Sequence, residues 1–403
     1  MSAREVVEVE GHIIDSLILA KVLDVILESG ADYRMLDVEI GRTNLDPSRA
    51  RLEITAPDDD ALAALVVELQ IHGANRVSQA DVAMEPAEVD GVLPMGFYAT
   101  TNLPTQIRLG GHWLDVENPE MDCALVVATD GRVRTVPMHR VRAGDAVVVG
   151  RGGVRVQPLE RPRGANPFEF MTSDVSSEKP KEQLVARVAA RIKVAKATGG
   201  KVLAVCGPAV IHTGAGPAVA DMVRAGIIDV LFAGNGFATH DIESNVLGTS
   251  LGVPLGDEAA IEGGPSNHLR VINEVRRRGS IAAAVADGYL TGGVMFECVS
   301  HGVPFVLGGS VRDDGPLPDV YTDVVEAVDA MRAELPGVVV ALMLASTLHA
   351  IATGNVLPAG VETYCVDINQ SVVTKLADRG SHQALGIVTD VGLFVQTLTQ
   401  HLL

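Results

Sequence analysis

The sequence predicts an α/β protein. A doubly wound, mostly parallel sheet forms its C-terminal part, preceded by an N-terminal α+β ferredoxin-like unit and a small β domain. Three observations carry this. From Lys201 onward, short runs rich in Val, Ile and Leu alternate with segments of helical spacing. Up to Met84 the elements run β-α-β-β-α-β. Between these regions, residues 88–158 break into short strand-like runs separated by Gly-containing turns. The expected domains are 1–88, 89–160 and 161–403, with 161–180 as a linker rich in Pro, Ser and charge.

In chain order, residues 5–10 suit a strand. Leu17–Leu27 has amphipathic helical spacing and is closed by Gly30. Strands are expected at Met35–Ile40 and Ala50–Thr55, a helix at Asp60–His72 closed by Gly73, and a fourth strand at Val82–Met84. The small β domain should hold Ala124–Ala128, Val133–Pro137, Ala146–Val149 and Val154–Val156. The segment Tyr98–Arg108 gathers hydroxyls, an amide and a guanidinium. Arg108 suits a substrate carboxylate, with a solvated loop bearing a surface arginine as the plainer reading.

A helix at Lys181–Thr198 leads into strand Val202–Cys206, followed by Gly207, Gly214 and Gly216, with Pro217 where a helix would start. Glycines at such a corner let backbone amides approach a phosphate. Val219 stands where a full GxGxxG would need its last glycine, so a tight packing turn explains the motif equally well. Strand Asp229–Ala233 ends in Gly234-Asn235-Gly236. Further strands are expected at Pro304–Leu307, Val338–Met343, Thr363–Val366 and Leu385–Val388, and a helix at Val320–Glu334. The carboxyl ends of these strands carry Gly207, Asn235, Asp314, Ser346, Asp367 and Asp390, where ligands of open α/β sheets bind. Asp367 or Asp390 suits ribose hydroxyls and Asn235 a phosphate or amide, while helix capping explains any single Asp.

Composition narrows the function. A net charge of −19 repels phosphate backbones, which argues against nucleic acid. The N-terminus is acidic and lacks an apolar core, and no uncharged run reaches membrane length, so a cytoplasmic protein is expected. The four cysteines are scattered without metal spacing, so free buried thiols and no metal site are expected.

Longer strings carry a resemblance. EGHIIDSLILAKVLD, ATTNLPTQIRLGGHW and FEFMTSDVSSEKP resemble the region shared by the lysine-ketoglutarate reductase/saccharopine dehydrogenase family. The whole chain, with FAGNGFATHDIES and GSVRDDGPLPDV, resembles the archaeal-type ornithine cyclodeaminases, also found fused behind arginine dihydrolases. Its C-terminal sheet is similar to deoxyhypusine synthase. That enzyme's carrier lysine follows Trp-Gly, whereas the one tryptophan here is Trp113 and the one lysine after Lys201 is Lys375. Deoxyhypusine synthesis is therefore not expected.

The resemblance implies NAD across the strand ends, touched by Asn235, Gly236, Asp314, Ser346, Thr347, Leu348, His349, Asp367, Asp390 and Val391. It also implies conversion of ornithine to proline and ammonia by a homo-oligomer. NAD would take hydride from Cα, the δ-amine would close on the imine and expel ammonia, and the hydride would return. Such chemistry needs a base, carboxylates for a cationic side chain and a cation for the substrate carboxylate. His240, Asp241, Glu243, Glu297 and Asp313 are the catalytic candidates; Arg108, assisted by Asn102, is the carboxylate candidate. A saccharopine- or opine-type dehydrogenase and an NAD-binding amino-acid sensor are the alternatives.

Overall fold

The computed structural model describes residues 3–14, 17–42, 46–77, 80–157, 181–250, 253–254, 267–313, 315–378 and 384–403. The expected linker 161–180 lies outside the described residues. The chain divides into two compact units, Met1–Met171 with Leu357–Gly360, and Thr172–Val356 with Val361–Leu403.

The first unit begins with strands Ala3–Gly11, Asp32–Glu39, Ser48–Ala56 and Asn75–Arg76, and helices Ile18–Glu28 and Asp59–Ile71. The first strand lies between the third and fourth, and the second lies outside the third, as a ferredoxin-like unit requires. Ser48–Ala56 alternates buried and half-buried residues, so one face packs its Ala50, Leu52 and Ile54 against the helices. Asp58 caps the second helix by accepting from the Ala61 N–H at 2.8 Å.

The fourth strand of this sheet is Asn75–Arg76, not Val82–Met84. Ala83–Pro86 instead pairs antiparallel with Ala146–Val149 in a second, seven-stranded sheet. A four-residue run has no local signal for its partner, and here a strand 60 residues downstream claims it. The Arg108 segment is also strand rather than loop. Thr105–Leu109 and His112–Glu117 form an antiparallel hairpin. Its turn residues Gly110 and Gly111 both have positive φ, 59° and 82°, which favours glycine.

The second unit holds a seven-stranded, wholly parallel sheet. In chain order its strands are β1 (Lys201–Cys206), β2 (Val230–Gly234), β3 (Phe305–Gly308), β4 (Val320–Tyr321), β5 (Val338–Leu344), β6 (Glu362–Asp367) and β7 (Ala384–Val388). Across the sheet the order is β4-β3-β2-β1-β5-β6-β7. Val202–Cys206 is fully buried, as a central strand covered on both faces must be. Val320 and Tyr321 extend the sheet edge instead of opening a helix, which starts only at Val324, capped by Asp323. Pro217 takes up a first-turn position of helix Gly216–Arg224. All four cysteines are buried and outside any disulfide, and burial is the main cause that pushes the Cys206 and Cys365 thiols up to about 12.

Candidate active site

Strand order reverses at β1. The chain runs outward through β2, β3 and β4, then returns to β5 on the other side, the arrangement that places ligands at the carboxyl edge. Register aligns the strand ends there: Cys206 pairs with Ala233 and Leu344, Gly234 with Gly308, and Asp367 with Val388. The backbones after β1 and β5 come so close that a Cβ on Gly207 would lie 1.8 Å from the Ala345 carbonyl oxygen. Ala345 itself holds φ at 47°, a strained left-handed conformation for a residue with a side chain.

Helix Leu348–Val356 begins directly after β5. Ser346 is buried, whereas Thr347 and Leu348 are exposed at the helix start. The His349 imidazole lies against the ends of β2 and β3; a Cβ on Gly234 or Gly308 would sit 3.0 or 2.9 Å from it. Burial lowers its pKa, with Asp313 opposing. Asp313 Oδ2 accepts from the Ser310 N–H at 2.8 Å. Asp367 Oδ1 accepts from the Asn369 N–H at 2.8 Å, and its Oδ2 has no hydrogen-bond partner among the described residues. A glycine-lined edge, a helix N-terminus and an available carboxylate oxygen fit a dinucleotide.

Other members of the expected cofactor set carry structural duties. Asn235, 4% exposed, braces a loop by accepting from the Leu317 N–H at 3.0 Å. Gly236 packs near the Pro208 ring. Asp390 caps the last helix, accepting from the Leu393 N–H at 2.9 Å, and the Val391 side chain is buried. Asp314 lies outside the described residues.

The catalytic candidates separate into two kinds. Helix Asn235–Leu247 carries His240 and Glu243 one turn apart, with Nδ1 and Oε2 at 3.0 Å. Glu243 also accepts from the Thr249 hydroxyl at 2.8 Å, and Asn267 donates to that hydroxyl oxygen at 2.9 Å. The His212 ring centroid is 4.8 Å from that of His240, and the His268 centroid 6.4 Å. His212 Nδ1 lies 2.6 Å from Ser250 Oγ. Burial, and then His240, lower the His212 pKa, with Glu243 opposing.

Asp241 and Glu297 are occupied elsewhere. Both Asp241 oxygens accept from the start of helix Val294–His301, from the Val294 N–H at 3.0 Å and the Met295 N–H at 2.8 Å. Burial still pushes its carboxyl up to about 6. Glu297 pairs with Arg224 at 2.5 Å and His301 at 3.2 Å.

Arg108 and Asn102 belong to the first unit. Arg108 donates to Asp81 at 3.0 Å, and buried Asn102 donates to the Leu357 carbonyl at 3.4 Å. Arg108 lines a cleft of about 930 Å³ with Arg51, Arg76, Arg155, Glu8 and Trp113. The Arg155 guanidinium lies 4.1 Å from the centre of the Trp113 ring.

Sequence reasoning missed His212, Thr249, Ser250, Asn267 and His268. His212 had a signal, since it follows β1 within the first βα connection. Among the described residues no group of three or more His, Cys, Asp or Glu is arranged to hold a metal, and no helix is long and apolar enough to cross a membrane.

Three family models tile the chain. Residues 4–103 match the LOR/SDH bifunctional enzyme conserved region. Residues 104–185 match the first C-terminal region of arginine dihydrolase ArgZ-like proteins, and 186–398 match their Rossmann fold. The chain is 52% identical over 409 residues to an ornithine cyclodeaminase of Methanocaldococcus jannaschii, covering 100% of this chain and 96% of that protein. It is similar to the apo crystal structure of ArgZ, an arginine dihydrolase from the ornithine-ammonia cycle in cyanobacteria. That match has a TM-score of 0.86 and 37% identity, over 100% of this chain and 58% of that one. A ternary complex of AgrE with ornithine and NAD+ matches with a TM-score of 0.54 and 40% identity, over 100% of this chain and 57% of that one. Identity of this extent over nearly the full length of an ornithine cyclodeaminase, on a ferredoxin-like unit followed by a Rossmann sheet, means that the chain belongs to the ornithine cyclodeaminase family.

Proposed function

We propose that this protein converts L-ornithine to L-proline and ammonia with NAD that is recycled in each turnover. The observation that carries the reading is the buried His240–Glu243 pair on the helix that follows β2, on the same carboxyl edge as the dinucleotide-type features. NAD, when bound, would supply reversible hydride chemistry. The chain's own residues do the rest. The amides opening helix Leu348–Val356, with Ser346, Thr347 and His349 beside them, face the phosphates. Asp367 would hold ribose hydroxyls, and Asn235, Gly236, Asp390 and Val391 would complete the contact set. His240 accepts a proton from an ammonium group of the substrate. Arg108, with Asn102, binds the substrate carboxylate, and Asp313 faces the cationic chain. The expected domains are 1–88, 89–160 and 161–403, with the first boundary moved back before Ala83, whose strand joins the second sheet. The protein works in the cytoplasm as a homo-oligomer, and light scattering on the purified protein tests the oligomer.

The deciding experiment is incubation of purified protein with ornithine and catalytic NAD, followed by proline and ammonia assays. Many prolines per NAD, with no lasting rise in NADH absorbance, is the expected result. NADH accumulating with product would make the protein a dehydrogenase instead. Asp367→Ala should weaken NAD binding by about 1–3 kcal/mol, measured by calorimetry, because ribose hydroxyls lose their acceptor. Arg108→Ala should keep NAD affinity and lose ornithine turnover by at least about tenfold. Unchanged turnover would remove Arg108 from the site.

A further inference from the structure

The polar cluster around His240 has a direction. The Asn267 side-chain amide donates to Thr249 Oγ1 at 2.9 Å, so the Thr249 hydroxyl hydrogen is left to point at Glu243 Oε1, 2.8 Å away. Glu243 has no exposed surface, and an ionised carboxylate only accepts. The hydrogen between His240 Nδ1 and Glu243 Oε2, 3.0 Å apart, therefore sits on the imidazole. That tautomer leaves the lone pair on Nε2, which has no hydrogen-bond partner among the described residues. From the short helix Ala209–His212, the His212 ring lies 4.8 Å away, its Nδ1 held 2.6 Å from Ser250 Oγ. From helix Asn267–Arg278, His268 stands at 6.4 Å. Asp241, on the same helix as His240, spends both oxygens on the Val294 and Met295 N–H groups. Two imidazoles in ring contact repel each other when both are charged; among the described residues the carboxylate bonded to the pair is Glu243, and one carboxylate balances one charge.

We infer that Glu243 is a positioning residue that fixes the His240 tautomer without touching substrate, and that His212 restricts the imidazole pair to a single proton. The inference deepens the proposed function and rests on it for the identity of the proton donor. In the step itself an N–H bond of a substrate ammonium breaks, its electron pair stays on that nitrogen, and a new N–H bond forms at His240 Nε2. The resulting imidazolium faces the Glu243 carboxylate. The proton returns when the amine leaves, so no net proton stays on the protein.

Two variants move the acid limb of the pH–rate profile in opposite directions. The Glu243 charge favours the protonated ring, so Glu243→Gln should shift that limb to lower pH. It should also reduce kcat by about 10²-fold with KM changed little. A charged His212 disfavours protonation of its neighbour, so His212→Asn should shift the limb to higher pH. Imidazole nitrogen shifts of the histidine-labelled full chain should show a protonated Nδ1 on His240 in the wild type and mixed tautomers in Glu243→Gln. Limbs that stay in place, or move together, overturn the inference, as does a wild-type His240 protonated at Nε2 alone. If Glu243→Gln fails to fold, the wild-type tautomer and the solvent-facing His212→Asn variant still decide. Failure of the wild type to make proline refutes the proposed function, while the tautomer spectra then decide the role of Glu243 by themselves.

Discussion

On the open face of the N-terminal sheet, Arg49 spreads across Glu8, Asp37 and Glu39 at 3.8, 3.7 and 3.1 Å, and Arg51 bonds Glu8 as well. In the C-terminal unit Asp241 and Glu243 are 1% and 0% exposed, and each holds its neighbours by hydrogen bonds. The first arrangement is a ladder of half-solvated ion pairs, each weakened by water and by the entropy of long side chains. The second places single carboxylates where every bond they make replaces water that is no longer there. A charge count alone would weigh the two regions equally. Their burial says that the C-terminal carboxylates decide stability and that the N-terminal arginines adjust it.

The sharpest test of how rigid the C-terminal edge is lies at Gly207. Alanine there would force the β1 and β5 connections apart, and we expect a loss of about 3 kcal/mol in urea unfolding. A wild-type midpoint would mean that the strand ends yield easily. Next comes Asp241→Ala, which leaves two N–H groups of helix Val294–His301 without their acceptor and should cost about 2 kcal/mol.

The same residue has a pH signature. Burial raises its folded pKa from 3.8 to about 6, so the stability it contributes is complete below pH 3.8 and is lost as pH rises through 6. Asp241→Asn should therefore gain on the wild type across that window, read as the difference between their unfolding free energies. A difference independent of pH would show that the carboxylate is better solvated than its burial implies. The smallest effect belongs to the ladder: Arg49→Ala should change stability by less than about 1 kcal/mol, and by less still in high salt. A larger loss would erase the contrast between the two regions.

Most of the fold was legible because each element carries its own period. The parallel strands are unbroken apolar runs, and Asp58 and Asp390 stand directly before the helices they cap. What failed were elements defined by a partner. Ala83–Pro86 needs Ala146–Val149, and Val320–Tyr321 is a strand only because β3 lies beside it. The site shows the same division. His240 and Glu243 are three residues apart on one helix and could be read together. Thr249, Asn267 and His212 reach them from three other elements, which no local pattern links. Asp241 sits one position from His240 in sequence yet turns to a helix that begins 53 residues later.

The buried cysteines make the molecule its own reporter of opening. Cys123 lies in the first unit and Cys206, Cys298 and Cys365 in the second, all in reduced form and shielded. A thiol held up to about 12 offers almost no thiolate at neutral pH, so an alkylating reagent reacts only after the surrounding strands separate. Mass spectrometry of the tagged peptides would thus time the opening of each unit separately, in unmodified protein and without any introduced label.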